Sequence, residues 1–243
     1  MMRFSHLSLS AALVAALAPF SLPPPAAQGQ NVVNEEAREF DIFVKDKPAG
    51  TCVIRISDLD DGTTRMTSEV NVKLNVVVFT YQYQFSGQEL WRGDRLLSTS
   101  NQATDGGKKF DAKASADQGG FHIEANGRRH DAAVIDMTTN YWRPPQPRPD
   151  GSLTLMDADR GAIRAAKVER LPNEAIAFGR QQVTCSHYRL SGDVHSELWF
   201  DGQNRIVRQK GLEEGHRTEV RLTRITRQTP RMAARPQPRP PVR

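Results

Sequence analysis

From Phe40 onward the chain alternates apolar and polar residues with a period of two, and this pattern limits the fold more than any other feature. Phe40, Ile42 and Val44 alternate with Asp41 and Lys45. Further on, Met66, Val70, Val72, Leu74 and Val76 fall on one side of an extended chain, with Thr67, Glu69, Asn71, Lys73 and Asn75 on the other. Successive side chains of a strand point to opposite faces, so such a run reads as a strand with one buried face. Phe79, Tyr81, Tyr83 and Phe85 extend the pattern as an aromatic stripe, and Trp91 has the same parity. The stripe has two readings: core packing, or a wall lining a site for an apolar ligand.

Short strands separated by turns fill the rest. The pattern turns first at Lys47, Pro48, Ala49 and Gly50, then at residues 58–62, where Asp58, Asp60 and Asp61 precede Gly62. Glycines follow at 93, 106–107, 119–120 and 127, and glycine supplies the positive φ that hairpin turns need. Residues 140–151 hold four prolines and read as a long surface loop. Strands resume at 163–171, 181–190, 194–200, 205–210 and 217–226. Only 131–141 and 172–178 could form a turn or two of helix. The expected fold is all-β: a large twisted antiparallel sheet curled into a half-barrel or barrel.

The N-terminus predicts export. Arg3 and His6 precede an apolar run from Leu7 to Leu22. Pro23, Pro24 and Pro25 follow, and Ala27-Gln28-Gly29 offers the small residues of a cleavage site. The run is short, contains Pro19 and has no basic stop-transfer cluster, so a cleaved signal peptide over 1–29 is preferred to an anchor. The mature chain is then a soluble periplasmic or secreted protein with one β-rich domain over 38–226. Residues 227–243, rich in Pro and Arg, form an expected disordered tail.

Charge bears on partners. The chain has 33 Lys and Arg against 28 Asp and Glu. Seven of the arginines (3, 224, 227, 231, 235, 239 and 243) sit in the signal and the C-terminal region, which leaves the folded part close to neutral. A domain-wide basic face for nucleic acid is therefore not expected, although the tail could make weak contact with an anionic envelope surface. In an oxidising compartment Cys52 and Cys185 could form one disulfide, or serve as two small buried hydrophobes. They do not form a C-x-x-C pair.

Chemistry-bearing motifs are sparse. A three-residue loop at 191–193 would pair Leu190 with Val194. Tyr188, Leu190, Val194, Leu198 and Phe200 would then share one face, and Cys185, His187, Arg189, His195, Glu197 and Trp199 the other. In that register His187 faces Glu197 and Arg189 faces His195. The group is either a charge-paired sheet surface or, less favoured, a hydrolase-like or metal-binding site made of His187, His195 and Glu197. Neither a nucleophile elbow nor a phosphate-binding glycine loop occurs, and no cofactor is implied. The reading leans away from an enzyme.

Three segments carry a family likeness: Tyr81 to Tyr83 running on through Glu89-Leu90-Trp91-Arg92-Gly93-Asp94-Arg95-Leu96; Thr139-Asn140-Tyr141-Trp142; and residues 188–193 followed by Leu198-Trp199-Phe200-Asp201. Their order resembles an uncharacterised family of exported bacterial proteins built on a domain of unknown function. That family is distantly similar to half-barrel carriers of the lipoprotein-localisation type. The stripe of Phe79, Tyr81, Tyr83, Phe85 and Trp91 on a concave sheet face is expected to accept a lipid-like or other apolar or amphipathic ligand, and the likeness itself spans 38–226. It implies no catalytic residues. The carriers also close their half-barrel with helices, which this sequence scarcely supplies.

Overall fold

The structure, a computed structural model, describes residues 30–76, 79–213 and 216–228. The expected signal peptide and residues 229–243 of the expected tail lie outside the described residues.

Fifteen strands form one sheet. The first eight are β1 (Val32–Val44), β2 (Lys47–Leu59), β3 (Thr64–Val76), β4 (Phe79–Arg92), β5 (Arg95–Asp105), β6 (Lys108–Ala116), β7 (Phe121–Ala125) and β8 (Arg128–Ala132). They are followed by β9 (Met137–Thr138), β10 (Ser152–Met156), β11 (Ile163–Phe178), β12 (Gln181–Gly192), β13 (Ser196–Phe200), β14 (Ile206–Glu213) and β15 (His216–Gln228). The order across the sheet is β8-β7-β6-β5-β4-β3-β2-β1-β15-β14-β13-β12-β11-β10-β9. The chain thus enters mid-sheet, meanders out to β8, crosses to β9 at the opposite edge and meanders back until β15 pairs with β1. Neighbours are antiparallel except β9 and β10.

That crossing forces the sheet to curl. Only residues 133–136 separate the end of β8 from the start of β9. Extended chain can bridge about 18 Å over that length. Fifteen flat strands at a spacing of about 4.8 Å would hold the two edges roughly 67 Å apart. The sheet must therefore roll until its edges approach. Among the described residues no ladder joins β8 to β9, so the shell is barrel-like but open. Loop 157–161 helps to close the seam: His130 Nε2 lies 3.2 Å from the Gly161 carbonyl oxygen. Gly161 has φ +68°, and a β-carbon there would stand 2.7 Å from the Ala125 methyl. Both backbone and packing therefore require glycine at this point.

The inner face is read from cross-strand rows. Ile56, Met66, Glu89, Thr99, Ala114 and Ile123 lie in register from β2 to β7. Buried alanines 103, 112, 114 and 125 leave room for residues 135–161 to enter the shell. Met66, Leu96, Leu155, Leu198 and Phe200 have no measurable exposure and form its centre. Burying each such side chain contributes about 1.5–3 kcal/mol.

The all-β expectation holds, and no helix occurs among the described residues. Several local expectations are corrected. Residues 172–178 belong to β11, paired from Glu174 opposite Cys185 to Phe178 opposite Gln181. Pro172 sits in the register shift between Leu171 and Glu174, where its missing N–H breaks no ladder. In the other suspected helical stretch, Asp131 lies in β8 and Met137–Thr138 forms β9. The first hairpin turns at Lys45 and Asp46, with φ of 50° and 63°, a type I′ geometry that matches strand twist. Pro48 to Gly50 fall within β2 instead. Leu190 pairs with Ser196, not Val194. Ser191 and Gly192 remain in the ladder with β11, so the turn moves on to 193–195. This slip of two residues keeps the faces of the paired residues but takes Val194 and His195 off the strand. The proline-rich segment contains no strand, yet Tyr141 and Pro145 are buried, so it is a strap packed onto the shell and not a surface loop. Finally, β15 extends to Gln228, and Arg227 Nε donates to Glu36 at 2.8 Å. The first two residues of the expected tail therefore belong to the sheet.

Candidate functional site

The aromatic stripe occupies the inner face of β4, but its members have different surroundings. Trp91 and Phe85 are 1% and 5% exposed and belong to the protein's own core. Tyr83 and Tyr81, nearer the β3–β4 tip, are half-buried. Tyr83 donates to Asp159 at 2.8 Å and Tyr81 to Asp105 at 2.7 Å. Arg160 reaches Asp105 at 3.3 Å and covers the Phe110 ring at 4.9 Å. The result is an aromatic and ionic rim beside the half-buried Val70, Val72 and Leu74 of β3. Phe79 opens β4 opposite Val76, and its side chain lies outside the described residues.

A second cluster escaped the sequence reading. The Glu89 carboxylate is fully buried on the inner face. Its Oε2 accepts from Trp91 Nε1 at 2.8 Å and Trp142 Nε1 at 3.0 Å. Its Oε1 accepts from Asn140 Nδ2 at 2.6 Å and from the Thr138 hydroxyl. Four donors thus occupy the acceptor sites of one carboxylate, the condition under which a buried acidic group is tolerated. The guanidinium of Arg143 lies 4.7 Å from the Trp91 ring centre and 5.4 Å from that of Trp142. It also donates to the Gly93 carbonyl oxygen and pairs with Asp94. Buried Arg38 donates to Glu36 at 2.7 Å and to the Trp142 carbonyl oxygen at 2.8 Å. Two of the segments that carry the family likeness, 89–96 and 139–142, therefore meet at Glu89. The node ties the strap to β4, and its acceptors are already committed, so the geometry suits a brace better than a catalytic base.

The histidine group is only partly assembled. His187 is 9% exposed and stacks on Trp199 with ring centres 4.2 Å apart. Its nitrogens lie 3.7 Å from Glu174 and 3.7 Å from Glu197, too far for hydrogen bonds. Glu174 instead accepts from Trp199 Nε1 at 2.8 Å. His195 is exposed in the 193–195 loop, off the strand face. In the observed register His187 faces Trp199 and Arg189 faces Glu197, correcting the expected pairs. Among the described residues no three acidic, His or Cys side chains converge as a metal site. What the strands form is an ionic lattice on the outer face. Arg189 bridges Glu169 and Glu197, and Glu219 is held between Arg208 and Arg221. Burial opposes the charge on Glu219, but hydrogen bonds from Arg221 and Arg208 outweigh it and hold its carboxyl down to about 2.

The cysteines are free and buried, which corrects the disulfide reading. Four strands stand between β2 and β12 in the sheet, whereas a disulfide needs α-carbons within about 7 Å. Burial pushes the Cys52 thiol up to about 12. Burial also raises Cys185, to about 11, with the nearby Asp201 and Glu174 adding to the effect.

One rolled, open sheet whose edges nearly meet defines the class: an all-β, barrel-like protein. The solved crystal structure of a "Beta-barrel-like Protein of Domain of Unknown Function DUF1849" from Brucella abortus is similar to it. The TM-score is 0.58 at 9% identity, over 80% of this chain and 98% of that one. The chain belongs to the DUF6134 family, a domain of unknown function whose model matches residues 40–223. A comparison with curated proteins found no significant match.

Proposed function

We propose that the chain is an exported binding protein that takes an amphipathic, lipid-like molecule on its inner face near the β3–β4 tip. One observation carries the reading. Phe85 and Trp91 are closed into the core, but Val70, Val72, Leu74, Tyr81 and Tyr83 on the same face stay half-buried. An apolar strip bordered by Tyr81, Tyr83, Asp105, Asp159 and Arg160 suits a molecule with a hydrocarbon part and a polar head. The wall first drawn from parity thereby narrows to its outer half. Export is supported by the basic, apolar and small-residue pattern of residues 1–29.

The test is titration with the fluorescent amphiphile N-phenylnaphthylamine. Wild type should enhance its emission saturably. Leu74→Gln and Tyr83→Gln should each weaken binding at least fivefold, with Leu74→Gln unfolding as wild type does. Absence of saturable binding would sink the idea. It would favour a second reading, an envelope scaffold working through contacts, which the packed centre of the shell supports.

A further inference from the structure

Loop 157–161, between β10 and β11, covers part of the inner face with very little apolar material. Val70, Phe85, Ala103 and Phe110 stand in one cross-strand row over β3 to β6, and Val72 and Tyr83 begin the next row towards the β3–β4 tip. Phe85, Ala103, Val70, Tyr83 and Phe110 form a small apolar cluster apart from the centre of the shell. One residue from outside these strands enters it, Ala158, which is 2% exposed. The loop reads Asp-Ala-Asp-Arg-Gly, and its only long side chain, Arg160, lays its guanidinium over the Phe110 ring. Three aromatic rings thus have one methyl group and one guanidinium for a cover.

The loop is also built to move as one piece. Its five N–H groups are satisfied without the β4–β8 side of the seam. Asp157 N–H donates to the Ala162 carbonyl oxygen and Gly161 N–H to that of Asp157, both at 2.8 Å. Asp159 and Arg160 N–H donate to Asp157 Oδ1 at 3.1 Å, and Ala158 N–H to the Thr139 hydroxyl at 2.9 Å. Contacts across the seam run through side chains: Tyr83 to Asp159, Arg160 to Asp105, and His130 to the Gly161 carbonyl oxygen. The neighbouring strap, by contrast, is anchored at buried Glu89 by Thr138, Asn140 and Trp142. Few buried apolar contacts and half-exposed polar ties mark the parts of a fold that open locally.

We infer that loop 157–161 is a lid over an aromatic pocket, and that the hydrocarbon end of an amphiphile enters by displacing Ala158. The inference rests on the binding role proposed above, because Val70 and Tyr83 join this pocket to the half-buried strip. A run of methylenes makes more contact with Phe85, Phe110 and Tyr83 than one alanine methyl does, so an occupant shifts the lid towards its open state. Asp159 and Arg160 stay at the rim beside the polar head.

Thiol alkylation measures the lid without any ligand. Ala158→Cys and Ala103→Cys place a thiol on either side of the closed cover, and buried Cys52 and Cys185 report global unfolding in the same molecule. With iodoacetamide both new thiols should react at similar rates, at least tenfold faster than the native pair. Saturating N-phenylnaphthylamine should speed the reaction at position 158 at least threefold and slow it at position 103, which the occupant covers. Either variant alone reads the opening, so poor folding of one, seen in its thermal midpoint, leaves the other as the measure. New thiols no faster than Cys52 and Cys185 would overturn the lid. Saturable amphiphile binding that changes neither rate would overturn it too, with the binding role left standing. Absence of amphiphile binding would instead overturn the binding role, and this inference with it.

Discussion

Replacing Glu89 by glutamine changes one atom and tests the brace directly. In wild type two indole N–H groups, one amide and one hydroxyl all donate to a single buried carboxylate. A glutamine keeps one oxygen and presents an NH₂ in place of the other. The indoles can only donate, whereas Asn140 can flip and Thr138 can rotate, so the NH₂ should settle on the Thr138 side. Four hydrogen bonds then lose the charge that strengthens them, each of which contributes about 1.5–3 kcal/mol when one partner is ionised and about 1 kcal/mol when neither is. With partial relaxation the loss should be about 2–4 kcal/mol. For a domain of this size that lowers the thermal midpoint by about 5–15 °C. Glu89→Ala should cost more, because four donors lose their acceptor and a cavity remains. Trp142→Phe, which removes one donor, should cost least. Urea unfolding followed by tryptophan emission suits the test, since Trp91 and Trp142 both report on the node. A Glu89→Gln variant within 1 °C of wild type would refute the argument, as would one less affected than Trp142→Phe.

Three further outcomes follow from particular residues. Both thiols should resist alkylation in the native protein and react fully in denaturant, with no mass difference on prior reduction; a gain of two hydrogens on reduction would mean that Cys52 and Cys185 pair. Gly161→Ala should destabilise by about 2–4 kcal/mol, since it combines a positive φ with a clash against Ala125; calorimetry showing an unchanged midpoint would remove loop 157–161 from the seam. The folded carboxyl of Glu219 sits near 2, below its ordinary 4.5. Its contribution, about 2 kcal/mol, is therefore present above pH 4.5 and lost as pH falls towards 2, so Glu219→Gln should flatten the acid limb of the stability profile. An unaltered acid limb would contradict this.

Much of the fold was legible because strand parity is local. The alternation around Met66 to Leu74 and Tyr81 to Phe85 assigned inner and outer faces correctly without knowledge of any partner strand. Hairpin glycines at 93, 106–107 and 127 marked turns for the same reason. Register was less legible. The β12–β13 slip depends on Ser191 and Gly192 pairing with β11, a strand earlier in the sequence, and the β1–β2 turn depends on Lys45 and Asp46 accepting positive φ. The brace was hidden because its parts are 49 to 53 residues apart in sequence and Glu89 looks like any polar residue in an alternating strand. A usable signal did exist. Glu89 has the parity of Phe85 and Trp91, so it had to face inward, and a carboxylate on a buried face demands donors. Trp142 and Asn140, in a segment otherwise rich in proline, were the unassigned donors.

Native mass spectrometry of the protein released from the cell envelope is the most direct test of the account's main claim. An exported binder of amphipathic molecules should appear as a chain beginning near residue 30, with a non-covalent adduct of lipid-like mass that dissociates on collisional activation. That adduct should be depleted in Leu74→Gln. A chain that keeps residues 1–29, or a processed chain that carries no adduct under any gentle extraction, would contradict it.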